Sequence, residues 1–271
     1  TAASASWTTT TPLSSGASFL YPRLDIDHRS FDPYYVYLVC GGLDGNGDDI
    51  WFTRSTDQGA SWAPPYRIAE LTSSGNLMYW APRVSYGAGG AVHVAWTYTE
   101  RVQDTFDDAV RYRRALNYAG SPADWQAGPV AITSSGDGLE DNAAGITASL
   151  DDPAVILAYT PWFGGGDGTQ LRWSADAGNT WPAASYFDLP WNGNRFVYQR
   201  PTGEFVGLVG FHDGVQRAAI TRAATGSPGA WSTPQTFTDL ATTSVNPGGL
   251  ALDPSRGEQV AILAADGSYT A

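Results

Sequence analysis

The 271-residue sequence predicts an all-β fold in which one unit of three or four short strands recurs and closes into a ring of five. Three observations carry this. Ser55-Thr56-Asp57-Gln58-Gly59-Ala60-Ser61-Trp62 returns as Ser174-Ala175-Asp176-Ala177-Gly178-Asn179-Thr180-Trp181, and both fit Ser-x-Asp-x-Gly-x-x-Trp; a motif repeated with its spacing marks a repeat architecture. Trp7, Trp62, Trp125, Trp181 and Trp231 are separated by 55, 63, 56 and 50 residues, and the interval from Trp231 through the chain end back to Trp7 is of similar length. The composition, with 31 Gly, 17 Pro, 11 Trp and 14 Tyr, favours strands and turns over helices.

Period-two apolar segments bounded by turn residues place the elements. The first unit reads Pro22–Asp27, Tyr34–Cys40, Ile50–Arg54 and Ser61–Ile68, and the second Pro82–Tyr86, Ala91–Tyr98, Ala109–Arg114 and Asp124–Ile132. The third reads Ala144–Ser149, Ala154–Tyr159, Gln170–Ser174 and Thr180–Leu189; the fourth reads Arg195–Arg200, Phe205–His212, Arg217–Arg222 and Ala230–Phe237. In the fifth, Gly249–Asp253, Gln259–Ala264 and Ser268–Ala271 supply three strands, while the N-terminus opens with an unmatched strand around Trp7. Docking that strand on the last unit removes the exposed edges an open ring would leave.

The two motifs resemble the Asp-box repeats of sialidases and their non-enzymatic relatives. The resemblance implies a β-propeller, here five-bladed with four-stranded antiparallel blades, the last closed by the N-terminal strand; part of a six-bladed or larger ring is the alternative. A single domain then divides into residues 1–13 (outer strand of the closing blade), 14–69, 70–132, 133–189, 190–239 and 240–271. The box residues Ser55, Asp57, Gly59 and Trp62, with Ser174, Asp176, Gly178 and Trp181, are read as structural. The carboxylate accepts backbone N–H groups, glycine takes positive φ and Trp packs between sheets. In the turns before Trp125 and Trp231 the Asp is absent from its place and the Trp is kept.

A formal charge of −12 argues against a nucleic-acid backbone as partner. All 15 basic residues are Arg, which removes Schiff-base and Walker-loop chemistry. No stretch is long and apolar enough to span a membrane. Cys40 sits inside Val36–Cys40, where a buried, unreactive thiol is expected. The start at Thr1 and the acidic composition point to a secreted or surface protein.

Ligands of propellers bind where the inter-blade links and the loops from second to third strand converge. These contain Tyr79, Trp80, Trp162 and Trp191 with Glu100 and Asp108, aromatic planes beside carboxylates that suit sugars. The expected function is therefore binding of glycan or another macromolecule without catalysis. The alternatives are an exo-sialidase-type glycoside hydrolase and a structural subunit of an extracellular assembly. Sialidases hold the substrate carboxylate with three Arg; Arg23, Arg83 and Arg200, all in predicted inner strands, are the candidates here, although Tyr21-Pro22-Arg23-Leu24 reverses the family's Arg-Ile-Pro order. No cofactor is called for. Asp44-Gly45-Asn46-Gly47-Asp48-Asp49 has the start of a calcium loop through Asp44, Asn46 and Asp48, but lacks Gly at the sixth place and Glu at the twelfth.

Overall fold

The structure, a computed structural model, describes residues 18–27, 35–43, 48–70, 77–102, 105–133, 141–161, 169–182, 187–189, 192–199, 202–212, 216–227, 229–233, 235–236, 245–252 and 260–266. These contain strands, turns and three single-turn 3-10 segments, with no α-helix and no helix long and apolar enough to cross a membrane.

The strands form five antiparallel sheets. β1 (Ser18–Ile26), β2 (Val36–Leu43), β3 (Asp48–Ser55) and β4 (Tyr66–Ala69) make the first, in chain order from one edge to the other. β5 (Leu77–Tyr86), β6 (Val92–Val102), β7 (Thr105–Ala115) and β8 (Val130–Ala131) make the second. β9 (Asp141–Ala148), β10 (Val155–Pro161), β11 (Thr169–Ser174) and β12 (Phe187–Leu189) make the third; β13 (Asn192–Gln199), β14 (Glu204–His212), β15 (Gln216–Ala224) and β16 (Gln235–Thr236) make the fourth. A fifth sheet pairs β17 (Val245–Leu252) with β18 (Val260–Asp266). The first strand of each sheet packs on the first strand of the next: β1 on β5, β5 on β9, β9 on β13 and β13 on β17.

Each strand alternates its side chains between the two faces, so one sheet contributes to two cores. Tyr37, Val39, Phe52 and Ile68 meet Val84, Val94 and Trp96 between the first and second sheets. Ala95, Val110 and Tyr112 meet Ile146, Val155 and Leu157 between the second and third, and Ile156 and Leu171 meet Phe196 and Phe205 between the third and fourth. Cys40 is 1% exposed, and burial pushes its thiol up to about 12. Asp25 on β1 accepts from Tyr86 N at 2.6 Å, so it points to the second sheet, and Leu24 and Ile26 point the other way, 61% and 44% exposed.

The innermost strands begin earlier than the apolar alternation indicates, because each carries one extra residue. The register slips at Tyr21–Pro22 in β1, Ala81–Pro82 in β5, Ala144 in β9, Asn194 in β13 and Gly248 in β17. A bulge turns the next side chain to the other face, which breaks a period-two pattern. The outermost strands are shorter than expected, because proline has no N–H to give the ladder. Pro64–Pro65, Pro129, Pro182 and Pro234 all follow the Trp positions. One bond survives directly after the Trp, from Ala63 N to Arg54 O, Gln126 N to Arg114 O and Ser232 N to Arg222 O, at 2.8–3.0 Å.

Candidate functional site

Antiparallel order puts the two ends of every sheet to different use. The turns from third to fourth strand lie at one end; the hairpins from second to third strand and the starts of the first strands lie at the other. At the first end, the two Ser-x-Asp turns fold alike. Ser55 Oγ donates to Asp57 Oδ1 at 2.7 Å and accepts from Gly59 N at 2.8 Å, while Asp57 accepts from Ser61 N at 2.8 Å and Ser61 Oγ at 2.5 Å. Ser174, Asp176, Gly178 and Thr180 repeat this at 2.6, 2.8, 2.9 and 2.7 Å. The Ser61 hydroxyl and amide, with Ser55, hold the Asp57 carboxyl down to about 2. Both carboxylates accept the hydrogen bonds that close their own turns.

The turns also fasten sheet to sheet. Arg54 donates to Tyr118 O of the second sheet at 2.9 Å; Arg114, its counterpart, donates to Ala177 O of the third at 2.7 Å and to Asn179 Oδ1. Trp125 packs edge-on against Phe52 of the preceding sheet with centroids 5.0 Å apart, and Trp181 against Tyr112 at 4.9 Å. The turn before Trp125 is not without a carboxylate: Asp124, one residue before the Trp, accepts from Ser121 N at 2.7 Å and Ser121 Oγ at 3.1 Å. Those bonds lower its carboxyl against the opposing effect of its partial desolvation. In this turn the carboxylate stands directly before the Trp rather than in the Ser-x-Asp place.

The opposite rim holds the aromatic and charged groups that could meet a ligand. Tyr79 and Trp80 lie within β5 rather than in a link, and Glu100 and Asp108 lie within the β6–β7 hairpin, where Thr99 pairs with Asp108 and Glu100 with Asp107. Tyr79 touches Trp96 and Tyr98, ring centroids 5.8 and 5.6 Å away, and the Arg111 guanidinium stands 4.8 Å from the Tyr98 ring. Asp108 is 3% exposed. On the first sheet, buried Asp49 pairs with Arg67 Nε at 3.0 Å, and Arg67 lies 5.0 Å from the Trp51 ring. Burial raises the Tyr79 phenol, with Tyr98 and Asp49 adding to it and Arg111 opposing. Tyr66, Tyr112 and Tyr198 are likewise held up by burial. A phenol shifted upward is a poor nucleophile at neutral pH.

Arg23 and Arg83 occupy equivalent places, the first residue after the bulge, paired with Val39 and Ala95. Each is folded back on the bulge: Arg23 Nη1 donates to Pro22 O at 2.9 Å, and Arg83 Nη1 to Ala81 O and Pro82 O at 3.2 and 3.1 Å. The residues before the two prolines, Tyr21 and Ala81, take φ of 54° and 49°. In the fourth sheet the equivalent place belongs to Arg195, paired with Leu208. The sequence reading missed it, because only the register reveals that Arg195 and not Arg200 follows the bulge. Arg200, Trp162, Trp191, Asp44 and Asn46 lie outside the described residues; Asp48 opens β3 opposite Leu43. Among the described residues no three His, Cys, Asp or Glu side chains are grouped as metal ligands.

No family model and no curated protein sequence matches the chain. Solved structures do. NanB sialidase from Streptococcus pneumoniae aligns with a TM-score of 0.59 at 10% identity over 87% of this chain and 55% of its own. The leech intramolecular trans-sialidase aligns at 0.59 and 9% identity over 89% and 55%, and the Ruminococcus gnavus intramolecular trans-sialidase at 0.59 and 10% over 84% and 73%. The chain spans about half the length of the first two of these enzymes. What it shares with them is the sialidase β-propeller fold.

Proposed function

We propose that this chain is a secreted or surface sialidase-like propeller that binds glycan at the rim opposite the Ser-x-Asp turns and does so without catalysis. The observation that carries the reading is the group that Tyr79 and Tyr98, from the rim half of the β5–β6 ladder, form with Arg111 from the middle of β7. Tyr79 and Tyr98 present half-buried aromatic rings, the Arg111 guanidinium lies over one of them, and the neighbouring sheet adds Asp49 and Arg67. Aromatic planes stack on the C–H faces of sugars, and a fixed cation suits an anionic one. Burial raises the Tyr79 phenol, which suits this ring to stacking rather than to nucleophilic attack. Trp80, Trp162, Trp191, Glu100 and Asp108 would extend the site, and Asp44, Asn46 and Asp48 could hold calcium beside it.

The two motif turns are, in this reading, Asp boxes, and the ring is five-bladed. The exposed Leu24 and Ile26 face supports closure by the fifth sheet completed by the N-terminal strand. The enzymatic reading rests on one observation, the three arginines after equivalent bulges at 23, 83 and 195, which could serve as a carboxylate clamp. Service as a structural subunit of an extracellular assembly is the third reading. A glycan array with the unmutated chain and Tyr98→Ala tests the first: binding weakened at least about tenfold in the variant supports the site, and unchanged binding refutes it. Release of a fluorogenic leaving group from a sialoside by the folded chain would instead establish the enzyme.

A further inference from the structure

His93 lies on β6 with no exposed surface, between the second and third sheets. Its Nδ1 is 2.7 Å from the Tyr112 hydroxyl, and the two rings lie nearly parallel with centroids 6.1 Å apart. Among the described residues Nε2 has no hydrogen-bond partner, and a side chain at Gly87 would come within 2.8 Å of it. Tyr112 in turn holds the third sheet: Trp181 packs edge-on against its ring, and Gly178 sits so close to its hydroxyl that a Cβ there would lie 1.8 Å away. The chain His93, Tyr112, Gly178 and Trp181 thus spans the junction.

The groups facing the imidazole give a proton no compensation. The neighbour on β5 is Ser85, and the neighbour on β7 is Arg114, already a cation. The third sheet contributes Ala148 beside Gly87. Asp176, whose charge acts on Tyr112, is committed to its turn by Ser174 and Thr180. A charge buried in such a place is stabilised only by opening the junction to water.

We propose that the junction between the second and third sheets is an acid-labile seam, sealed by neutral His93 against Tyr112 and opened when the imidazole takes a proton. Burial, and next to it the Arg114 charge, lowers the His93 pKa from its ordinary value near 6.5 to about 3. A base depressed on folding contributes stability that is whole above the unfolded value and lost as the pH falls from 6.5 towards 3. The seam is therefore weakened under mildly acidic conditions, and by more than the junction between the first and second sheets, where Asp25 accepts from Tyr86 N and no described histidine is buried.

Hydrogen exchange of the whole chain, resolved by peptide and corrected for intrinsic rates, tests this. Between about pH 7 and about pH 4, opening of β6, β7 and residues 171–181 should rise roughly a hundredfold, and that of β2 and β3 by much less. His93→Gln, which cannot take the proton, should abolish the difference. If that variant does not fold, NMR titration of His93 in the unmutated chain decides. A ring pKa at or above about 6, equal loss of protection across the sheets, or the same profile in His93→Gln would overturn the seam.

Discussion

Gly59 and Gly178 occupy the same place in the two Ser-x-Asp turns and share a left-handed backbone, φ 88° and 79°. Their surroundings differ. A Cβ on Gly59 would find its nearest neighbour, Trp62 Cζ2, at 4.0 Å, whereas on Gly178 it would lie 1.8 Å from the Tyr112 hydroxyl oxygen and 2.6 Å from the ring carbon bearing it. Gly59→Ala should therefore cost only the strain of a left-handed alanine, about 1–2 kcal/mol, less a partial offset of about 0.4–1 kcal/mol from the stiffer unfolded chain. Gly178→Ala adds an overlap that cannot relax by swinging Tyr112 aside, because His93 and Trp181 hold that ring from both sides. Overpacking of a filled core costs about 1–3 kcal/mol more. Urea unfolding at neutral pH, followed by tryptophan fluorescence, measures both. Losses equal to within about 0.5 kcal/mol, the scatter expected of sites that differ in nothing that matters, would refute the claim that the third sheet is seated on Tyr112 through its turn.

Other consequences follow from the same contacts. Arg114→Ala should destabilise by about 2–3 kcal/mol, because a charged donor is lost from the Ala177 carbonyl and the Asn179 side chain. Arg54→Ala, with its bond to Tyr118 O, should cost less, and the double variant should show the sum because the junctions are separate. Asp57→Asn should weaken the first turn at neutral pH. The Asp57 carboxyl sits at about 2 when folded against an ordinary value of 3.8, so its stabilisation is present above 3.8 and lost as the pH falls through 2. The gap between Asp57→Asn and the unmutated chain, measured by thermal unfolding, should close over that window; a gap that stays constant to the lowest pH contradicts it.

Much of the fold is written at residue level. Ser55, Asp57 and Gly59 are recognisable because their bonds close one turn, and the same bonds recur in the second copy. The interior strands are legible where alternation runs unbroken, as in Val92, Val94 and Trp96 facing one core and Ala95 the other. Alternation fails as a guide at the bulges, where Tyr21–Pro22 and Ala81–Pro82 shift the phase, and this is why Tyr79 and Trp80 read as a link. The β6–β7 hairpin was missed for a different reason. Its polar residues, from Thr99 to Asp108, look like a loop, yet the ladder runs to Val102 and Thr105.

Other features were illegible because they depend on contacts between sheets. Asp25, Ser85 and Thr147 stand at matching places on three inner strands and bond to Tyr86 N, Ala148 N and Phe196 O of the next. One is a carboxylate and two are hydroxyls, so no residue pattern betrays the shared role. Arg195 stands apart from any Pro-Arg pair, and only the register aligns it with Arg23 and Arg83. Loop aromatics are the residues a sequence singles out; Tyr98 and Arg111, which stack across the β6–β7 ladder, come from strands.

The location of the binding surface is the central claim, and comparing variants at the two ends of the sheets tests it most directly. Affinity for the glycan that binds best on an array would be measured by calorimetry for Tyr98→Ala and Arg111→Ala at the rim, and for Gln58→Ala in the opposite turn, each with its fold verified by circular dichroism. The account predicts that both rim variants lose affinity by about tenfold or more while Gln58→Ala binds as the unmutated chain does. Full affinity in both rim variants, or a loss confined to Gln58→Ala, would contradict it.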